Sequence, residues 1–359
     1  MSSNRNQTQP TAPPVPFAPE LNAELEKLGA PQENAPTSAD DIPRWRAQLT
    51  TTDPSLKELR DHGRFEIQEF LAPGPDGAPD VSLLVARPTG LCQQAPVIYH
   101  MHGGGMIGGS NRTGMQTILH EWAEPLELAV VSVGYRLAPE HPYPAAIEDC
   151  YAGLLWLARH AGTLGVDRQR VIAVGGSAGG GLTAALALMA RDRKGPGILG
   201  QLLMCPMLDD RNDSPSARQM TGLGVWDRRA NSLGWTALLG EDRESSQVSY
   251  YAAAARAADL SQLPPAYVDA GAAETFRDEC IQYATRIWQA GGDAELHIWS
   301  GGFHGFDQLA PHAEVSRDAR RSRFRWLCRL LSREVRGASC RASAMPAGPA
   351  VGPGSTDWR

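Results

Sequence analysis

The hydrophobic pattern of the chain alternates between short apolar runs and longer amphipathic segments. Runs that are rich in β-branched residues and bounded by Gly, Pro, Asn or Asp are typical of strands. Most of these runs are continuously apolar, so they predict a largely parallel sheet that is buried on both faces. The eight predicted strands are 65–71, 81–88, 95–102, 129–135, 171–176, 200–207, 265–271 and 294–300.

Helices are predicted between most of these strands. Segments 145–162 and 279–292 carry an apolar stripe and end in glycine, which favours a left-handed helix cap. A further helix is predicted over 182–189, and an amphipathic helix with an arginine-rich face over 317–336. The first two strands have no helix between them and are expected to pair antiparallel. The fold class is therefore α/β, with a mostly parallel eight-stranded sheet flanked by helices.

Two stretches, residues 21–60 and 209–260, interrupt this alternation. Neither contains a strand pattern, and both contain helical patches with tryptophan, at Trp45 in the first and at Trp226 and Trp235 in the second. We predict that they are the two pieces of a helical cap that folds over the sheet edge. The main domain then spans 61–335 and includes the second piece.

The two ends of the chain have a different composition from the rest. Residues 1–20 are rich in Pro, Ser, Thr and Asn, and residues 336–359 in Ala, Gly, Pro and Ser, so both are predicted to be disordered tails. The N-terminus lacks the apolar core and cleavage site of a secretory signal, and no run approaches the length of a membrane span. These patterns predict a cytoplasmic protein that does not act at a membrane.

Net charge and cysteine spacing argue against several classes of partner and cofactor. The net charge of −6 and the sequence pI of about 5.9 argue against nucleic acid, because phosphate binding needs a concentrated basic face. The six cysteines show neither paired nor metal-type spacing. The sequence therefore predicts no disulfide framework, no metal and no cofactor.

The stretch GGSAG at 175–179 follows a predicted strand and precedes a predicted helix. A serine in this context is typical of a nucleophile on a strained strand-to-helix turn, for which Gly175, Gly176 and Gly179 supply the small neighbours. A phosphate loop is disfavoured because the G-K-[ST] ending is absent. A dinucleotide pattern at Gly179, Gly181 and Ala184 is weak, since it begins after the turn, where a helix start would already pair the backbone N–H groups. Ser177 is therefore the candidate nucleophile.

Two more strand ends carry residues that could assist a serine nucleophile. Residues 102–105, HGGG, follow the third strand, and consecutive glycines leave backbone N–H groups free to converge on a developing oxyanion, although the motif alone also fits a flexible loop. His102 is expected to brace this loop rather than to transfer protons. His304 lies on a glycine-flanked loop after the last strand and completes the chain order Ser, acid, His, so it is the candidate general base.

The orienting acid is expected after the seventh strand, where four carboxylates occur. Asp269 lies within the strand, and Asp278 and Glu279 fall in the first turn of the next helix, where carboxylates favour the helix dipole for structural reasons alone. Glu274 occupies the turn between the two elements. We therefore favour Glu274, with Asp278 as the alternative.

With these motifs in this order, the segment 100–307 resembles the hormone-sensitive-lipase-like branch of the α/β hydrolases, a family of carboxylesterases. The resemblance rests on HGGG, YRLAPEHPYPAAIED, GGSAGG, LPPAYVDAGAAETFRDE and GGFHGF. It implies Ser177 as nucleophile, His304 as base, an oxyanion hole from the N–H groups of Gly103, Gly104 and Ala178, and a helical cap over the substrate. The family usually has Asp at the position of Glu274, Gly-Asp at 175–176 and an aromatic residue at Met106.

The function expected from these observations is a cofactor-free serine ester hydrolase that acts through an acyl-enzyme on small to medium acyl esters. Hydrolysis of an amide or lactone, or acyl transfer, uses the same three residues and stays open, because the leaving group is selected by the cap. A binding protein without turnover is the remote alternative from a different class. The partner is a small-molecule ester, and a homodimer is left open.

Overall fold

Eight strands form a single sheet in the order β1-β2-β4-β3-β5-β6-β7-β8. The structure is a computed structural model, which describes residues 12–29, 35–75, 77–91, 94–240, 243 and 245–342. The predicted α/β class and the mostly parallel eight-stranded sheet are confirmed. The strands are β1 Phe65–Ala72, β2 Val81–Pro88, β3 Ala95–Met101, β4 Ala129–Gly134, β5 Val166–Gly176, β6 Gly200–Met204, β7 Ala266–Gly271 and β8 Ala294–Trp299.

Strand direction follows from the connections. β1 pairs antiparallel with β2, as the missing helix between them predicts, and β2 also pairs antiparallel with β4. The strands from β4 across to β8 run parallel and are joined through helices. All residues of the central strand β3 are buried, which agrees with its continuous apolar run. The carboxyl ends of β3, β5, β7 and β8 therefore open at one edge of the sheet.

Helices cover both faces of the sheet. Leu154, Leu186 and Tyr283 belong to the apolar layer on one face, and Trp122 and Leu327 to the layer on the other. The α-helices of the described residues are α1 Pro19–Leu28, α2 Ile42–Thr52, α3 Leu56–Arg60, α4 Met115–Ile118, α5 Ala145–Leu164, α6 Ala178–Asp192, α7 Pro215–Gln219, α8 Arg228–Leu239, α9 Arg277–Gln289, α10 Phe306–Leu309 and α11 Glu314–Ala342.

All four predicted helices differ from the structure at one or both ends. Helix α5 ends at Leu164 and is capped by Gly165, with φ of 64°, instead of ending at Gly162. The buried Leu164 extends the apolar stripe by another turn, so the second glycine becomes the cap. Helix α6 starts at Ala178, directly after the predicted nucleophile, which places Gly179, Gly181 and Ala184 inside the helix.

The chain ends are more structured than their composition predicts. Helix α1 begins at Pro19, the Ala18 N–H donates to the Gly301 carbonyl over 3.1 Å, and Phe17 packs edge-on against Phe303. Composition misses this because the contacts that hold the segment come from a distant part of the chain, the loop after β8. At the other end α11 continues to Ala342, inside the predicted tail 336–359. The rest of the two predicted tails, residues 1–11 and 343–359, lies outside the described residues.

Helices α1 to α3, α7 and α8 lie in the two stretches that we predicted as a cap. The two stretches meet where the rings of Trp45 and Trp226 lie 6.0 Å apart. None of the helices in the described part of the chain is both long enough and apolar enough to cross a membrane.

Candidate active site

Ser177 stands on the sharp turn between β5 and α6, with φ of 56° and ψ of −122°. Its N–H donates to the Met204 carbonyl of the neighbouring strand over 2.8 Å. A Cβ atom at Gly175 would lie 2.2 Å from the Gly179 carbonyl oxygen, and one at Gly179 would lie 2.1 Å from the Met101 carbonyl oxygen. Side chains at these two positions are therefore excluded by backbone, and the glycines allow the turn that presents the serine hydroxyl.

Backbone atoms do not exclude a side chain at Gly176, in contrast to Gly175 and Gly179. A Cβ atom there would meet only Met204, at 3.8 Å, which is an ordinary van der Waals contact. The prediction that all three glycines give the turn its room is wrong for Gly176. The position has room for a methyl group.

Three of the predicted residues form a continuous hydrogen-bonded chain. His304 Nε2 lies 3.0 Å from Ser177 Oγ, and His304 Nδ1 lies 2.7 Å from Glu274 Oε2. The Gly271 N–H donates to the other carboxylate oxygen of Glu274 over 2.9 Å. The Glu274 side chain is fully buried and that of His304 is 12% exposed. The carboxylate therefore holds the ring with one nitrogen toward the serine.

The other three candidate acids are occupied elsewhere. Asp278 accepts the Ser216 N–H over 2.8 Å and pairs with Arg277, and Glu279 accepts the Leu208 N–H over 2.7 Å. Asp269 accepts hydrogen bonds from Arg323 and from the Trp299 ring. Among the described residues, Glu274 is therefore the carboxylate that reaches His304.

The HGGG loop lies directly against the turn that carries Ser177. A Cβ atom at Gly103 would lie 3.6 Å from the Ser177 Cβ, and Gly104 has a φ of 119°. The Ala178 N–H opens helix α6, where the first N–H groups have no acceptor within the helix. The N–H groups of Gly103 and Gly104 have no hydrogen-bond partner within the described part of the chain. Unpaired donors beside a serine hydroxyl are what a developing oxyanion needs.

His102 braces this loop, as its place in the motif predicts. Its Nδ1 lies 2.7 Å from the Gly103 carbonyl oxygen, and the Tyr135 ring stacks on the imidazole at 4.1 Å. The Tyr135 hydroxyl donates to the His102 carbonyl over 2.7 Å. Burial lowers the pKa of His102 to about 4, so the ring stays neutral near neutral pH.

The electrostatics of His304 differ from those of His102. Burial disfavours the imidazolium, but the Cys205 and Glu274 side chains beside the ring outweigh burial and raise the pKa of His304 above its ordinary value. Of these two neighbours, we attribute the effect to the Glu274 carboxylate, because burial also raises the pKa of Cys205 and keeps that thiol uncharged. An imidazole in this setting accepts a proton readily.

A cavity of about 270 Å³ opens onto Ser177 and His304. Its apolar wall includes Trp45 and Leu49 from the first cap stretch and Val225 and Trp226 from the second. Among the described residues, the ligand atoms of Cys205, Glu274 and His304 are the one group of His, Cys, Asp or Glu donors that lies close enough to hold a metal ion.

Two residues near the site were not identified from the sequence. Cys205 follows β6 and lines the cavity. The rule that reactive groups collect at the carboxyl ends of parallel strands points to this position as it does to His304. Arg46 donates hydrogen bonds to the Ile107 and Ala138 carbonyls and pairs with Glu140 over 2.7 Å, which ties α2 to the HGGG loop. No local sequence pattern marks Arg46.

A serine, a histidine and a carboxylate in hydrogen-bond contact at the carboxyl edge of this sheet define the class of α/β hydrolases. A family model described as the alpha/beta hydrolase fold matches residues 98–308. Carboxylesterase NlhH of Mycobacterium tuberculosis is 35% identical over 279 residues, which are 76% of this chain and 85% of NlhH. The solved structure of Bacterial Heroin Esterase is 37% identical, with a TM-score of 0.80 over 88% of this chain and 98% of that chain.

Hormone-sensitive lipase of Homo sapiens is 39% identical over 102 residues, which are 27% of this chain and 9% of that protein. The chain belongs to the hormone-sensitive-lipase-like family of α/β hydrolases and is a carboxylic ester hydrolase. The family and the ester-hydrolase activity predicted from the sequence are thereby confirmed.

Proposed function

We propose that this esterase works through an acyl-enzyme formed on Ser177, with His304 as general base and Glu274 as the orienting acid. The observation that carries the proposal is the hydrogen-bonded chain from Ser177 through His304 to Glu274, at 3.0 Å and 2.7 Å. The Gly271 N–H supports it, because it fixes the carboxylate from the far side. Each group is thus held in the orientation that its step requires.

In the acylation step, His304 accepts the Ser177 proton while the hydroxyl oxygen attacks the ester carbonyl. The tetrahedral oxyanion accepts hydrogen bonds from the N–H groups of Gly103, Gly104 and Ala178. His304 then donates the proton to the departing alcohol. Glu274 keeps the ring in the tautomer that leaves Nε2 free to accept, and it stabilises the imidazolium in between.

In the deacylation step, water takes the place of the alcohol. His304 accepts a proton from this water, which attacks the acyl carbonyl, and the same N–H groups stabilise the second oxyanion. Collapse releases the carboxylic acid and returns the proton to Ser177. These steps use residues of the chain alone.

Changing Gly104 to alanine tests the oxyanion donors. A Cβ atom there would lie 2.1 Å from the Gly108 carbonyl oxygen, so the loop must shift and its N–H groups must turn away. We expect kcat to fall about 100-fold, the usual effect of losing one such donor. Steady-state kinetics with p-nitrophenyl acetate measures the loss. The matched control is Gly176→Ala, which adds a methyl group beside Ser177 without a clash; equal losses in the two variants would contradict the assignment.

The pH dependence of the reaction follows from the pKa of His304. The base must be neutral to act, and its pKa is raised in the folded enzyme. We therefore expect kcat/KM to fall as the pH decreases, with the midpoint above about 6.5, the ordinary value for histidine. A pH profile with a fluorogenic ester provides the measurement. A profile that stays flat down to pH values well below this midpoint would argue against His304 as the base.

Substrate size is set, in this proposal, by the cap that the two stretches form over the cavity. The volume of about 270 Å³ and the apolar wall support small to medium acyl groups. Among p-nitrophenyl esters, we expect kcat/KM to be highest for short and medium acyl chains. The value for the palmitate ester should be about one tenth of that maximum or smaller. Trp226→Ala should narrow this difference, whereas Trp288→Ala, on the outer face of α9 and 46% exposed, should not.

Amide hydrolysis, lactone hydrolysis and acyl transfer share the proposed acyl-enzyme. Comparing a p-nitrophenyl ester with the matching p-nitroanilide, a lactone series and an added alcohol acceptor separates them from ester hydrolysis. A binding protein without turnover would keep the cavity but not form a covalent adduct. Intact-mass labelling with a fluorophosphonate is expected to add one adduct to the parent chain.

The proposal also includes a cytoplasmic location and leaves the assembly state to be tested. Cys150, Cys205, Cys280 and Cys328 are free thiols, which supports the reducing environment of the cytoplasm. The homodimer left open by the sequence stays a prediction, and sedimentation velocity tests it.

A further inference from the structure

Cys205 is held in an unusual backbone conformation beside the reacting groups. It follows β6 directly and has a φ of 38°, in the left-handed region that few non-glycine residues adopt. Its N–H donates to the Asp269 carbonyl over 2.6 Å, which fixes the turn. The thiol lines the same cavity as Ser177 and His304. The ester hydrolysis steps described above make no use of it.

The thiol forms a cluster with two other potential metal ligands. Cys205 Sγ, a ring nitrogen of His304 and a carboxylate oxygen of Glu274 all lie within 4.8 Å of one another. Thiolate, imidazole and carboxylate are the ligand types that bind Zn²⁺, with bond lengths of about 2.0–2.3 Å. Donors with such bonds to one tetrahedral ion lie roughly 3.3–3.8 Å apart, so small side-chain adjustments bring the three into range.

The position of the three residues in the fold also favours a bound ion. Asp307 and Arg323 both line the cavity and form an ion pair with each other, so their opposite charges offset. Cys205, Glu274 and His304 come from the ends of three adjacent strands, β6, β7 and β8, which the sheet holds at fixed spacing. The cavity provides an entry path for an ion and space for a water as the fourth ligand.

We propose that Cys205, His304 and Glu274 form a binding site for a thiophilic divalent cation of the Zn²⁺ or Cd²⁺ type, and that occupancy switches the esterase off. Binding replaces the thiol proton, which passes to solvent, and leaves a thiolate–metal bond. A metal-bound imidazole no longer accepts the Ser177 proton. The site itself does not depend on catalysis, but the inhibition rests on the proposed role of His304.

The other described cysteines lack this setting. Cys150 and Cys280 are fully buried, and neither lines the cavity at Ser177 and His304. Cys328 lies on α11, lines a different pocket and is partly accessible. Cys328→Ser is therefore the matched control for any effect of Cys205→Ser.

Binding is tested without catalysis in the Ser177→Ala variant, which keeps all three ligands. Titration with CdCl₂ is expected to produce one equivalent of the thiolate-to-cadmium charge-transfer absorption. Adding Cys205→Ser to this variant should abolish the band, and adding Cys328→Ser should leave it. If Ser177→Ala shows no band, or if the band survives Cys205→Ser, the site does not exist.

Inhibition is tested in the active enzyme with ZnCl₂, each variant being compared with its own metal-free rate. We expect loss of activity that a chelator reverses, and a rise of about tenfold or more in the half-inhibitory concentration for Cys205→Ser and Cys205→Ala. Two substitutions guard against a folding defect in either one. Unchanged sensitivity in both would overturn the proposal. A cadmium band in Ser177→Ala without inhibition of the parent would keep the site, overturn the switch and count against His304 as the base.

Discussion

Replacing Ser177 with alanine is expected to reduce kcat for ester hydrolysis on the order of 10⁶-fold, the largest effect of any substitution considered for this chain. Without the hydroxyl, no acyl-enzyme forms, and the remaining rate comes from water attacking an ester held by the oxyanion donors. The Ser177 Oγ is the atom 3.0 Å from His304 Nε2. Alanine removes that atom alone and leaves the N–H of Ala178 in place.

Two measurements check this expectation. Steady-state hydrolysis of p-nitrophenyl acetate gives the fall in kcat, and intact-mass labelling shows whether the fluorophosphonate adduct disappears with the hydroxyl. Ser300→Ala, at an exposed turn after β8, is the matched control and should keep both the rate and the adduct. An adduct on Ser177→Ala equal to that of the parent would place the nucleophile elsewhere.

Replacing Glu274 with glutamine is expected to lower kcat about 10⁴-fold, the usual effect when the acid of such a triad becomes an amide. The amide can donate to His304 Nδ1, which favours the tautomer that carries a proton on Nε2 and cannot accept one from Ser177. The imidazolium also loses its neighbouring charge. Because Glu274 is nearly isosteric with glutamine, the buried packing around it is preserved.

Asp278→Asn distinguishes the two acids that the sequence left as alternatives. Asp278 accepts the Ser216 N–H and pairs with Arg277, so its loss should lower the free energy of unfolding slightly and leave kcat close to that of the parent. Circular dichroism melts of both variants separate the two effects. A large fall in kcat for Asp278→Asn together with a small one for Glu274→Gln would reverse the assignment.

Most of the sheet could be predicted because its strands are buried on both faces. The apolar run of β3 extends through Ala95–Met101 without a polar surface position, and the predicted limits of β2 agree with the observed strand. The start of β5 at Val166 was missed because residues 167–170 are polar and are half-buried or exposed. Hydrophobic periodicity has no signal for a strand segment that runs along the protein surface.

The residues of the proposed site also fall into those that the sequence could identify and those that it could not. Ser177, His304 and the glycine loop lie within short motifs at strand ends, so chain order and residue type were enough to select them. The sequence left the choice between Glu274 and Asp278 open. In the folded chain the Ser216 N–H, from a distant segment, donates a hydrogen bond to Asp278, and sequence reasoning has no access to that contact. Cys205 and Arg46 lie outside any motif, and their contacts with His304 and with the HGGG loop exist only in the folded chain.

The backbone of Ser177 has a consequence for the thermodynamics of the whole fold. A non-glycine residue held at φ of 56° and ψ of −122° costs on the order of 1–3 kcal/mol relative to a relaxed conformation. A glycine at 177 would be free of this cost, so Ser177→Gly is expected to be more stable than the parent and, under the proposed mechanism, inactive. Selection for folding alone therefore favours losing the hydroxyl, and a serine persists at this turn only while turnover itself is under selection.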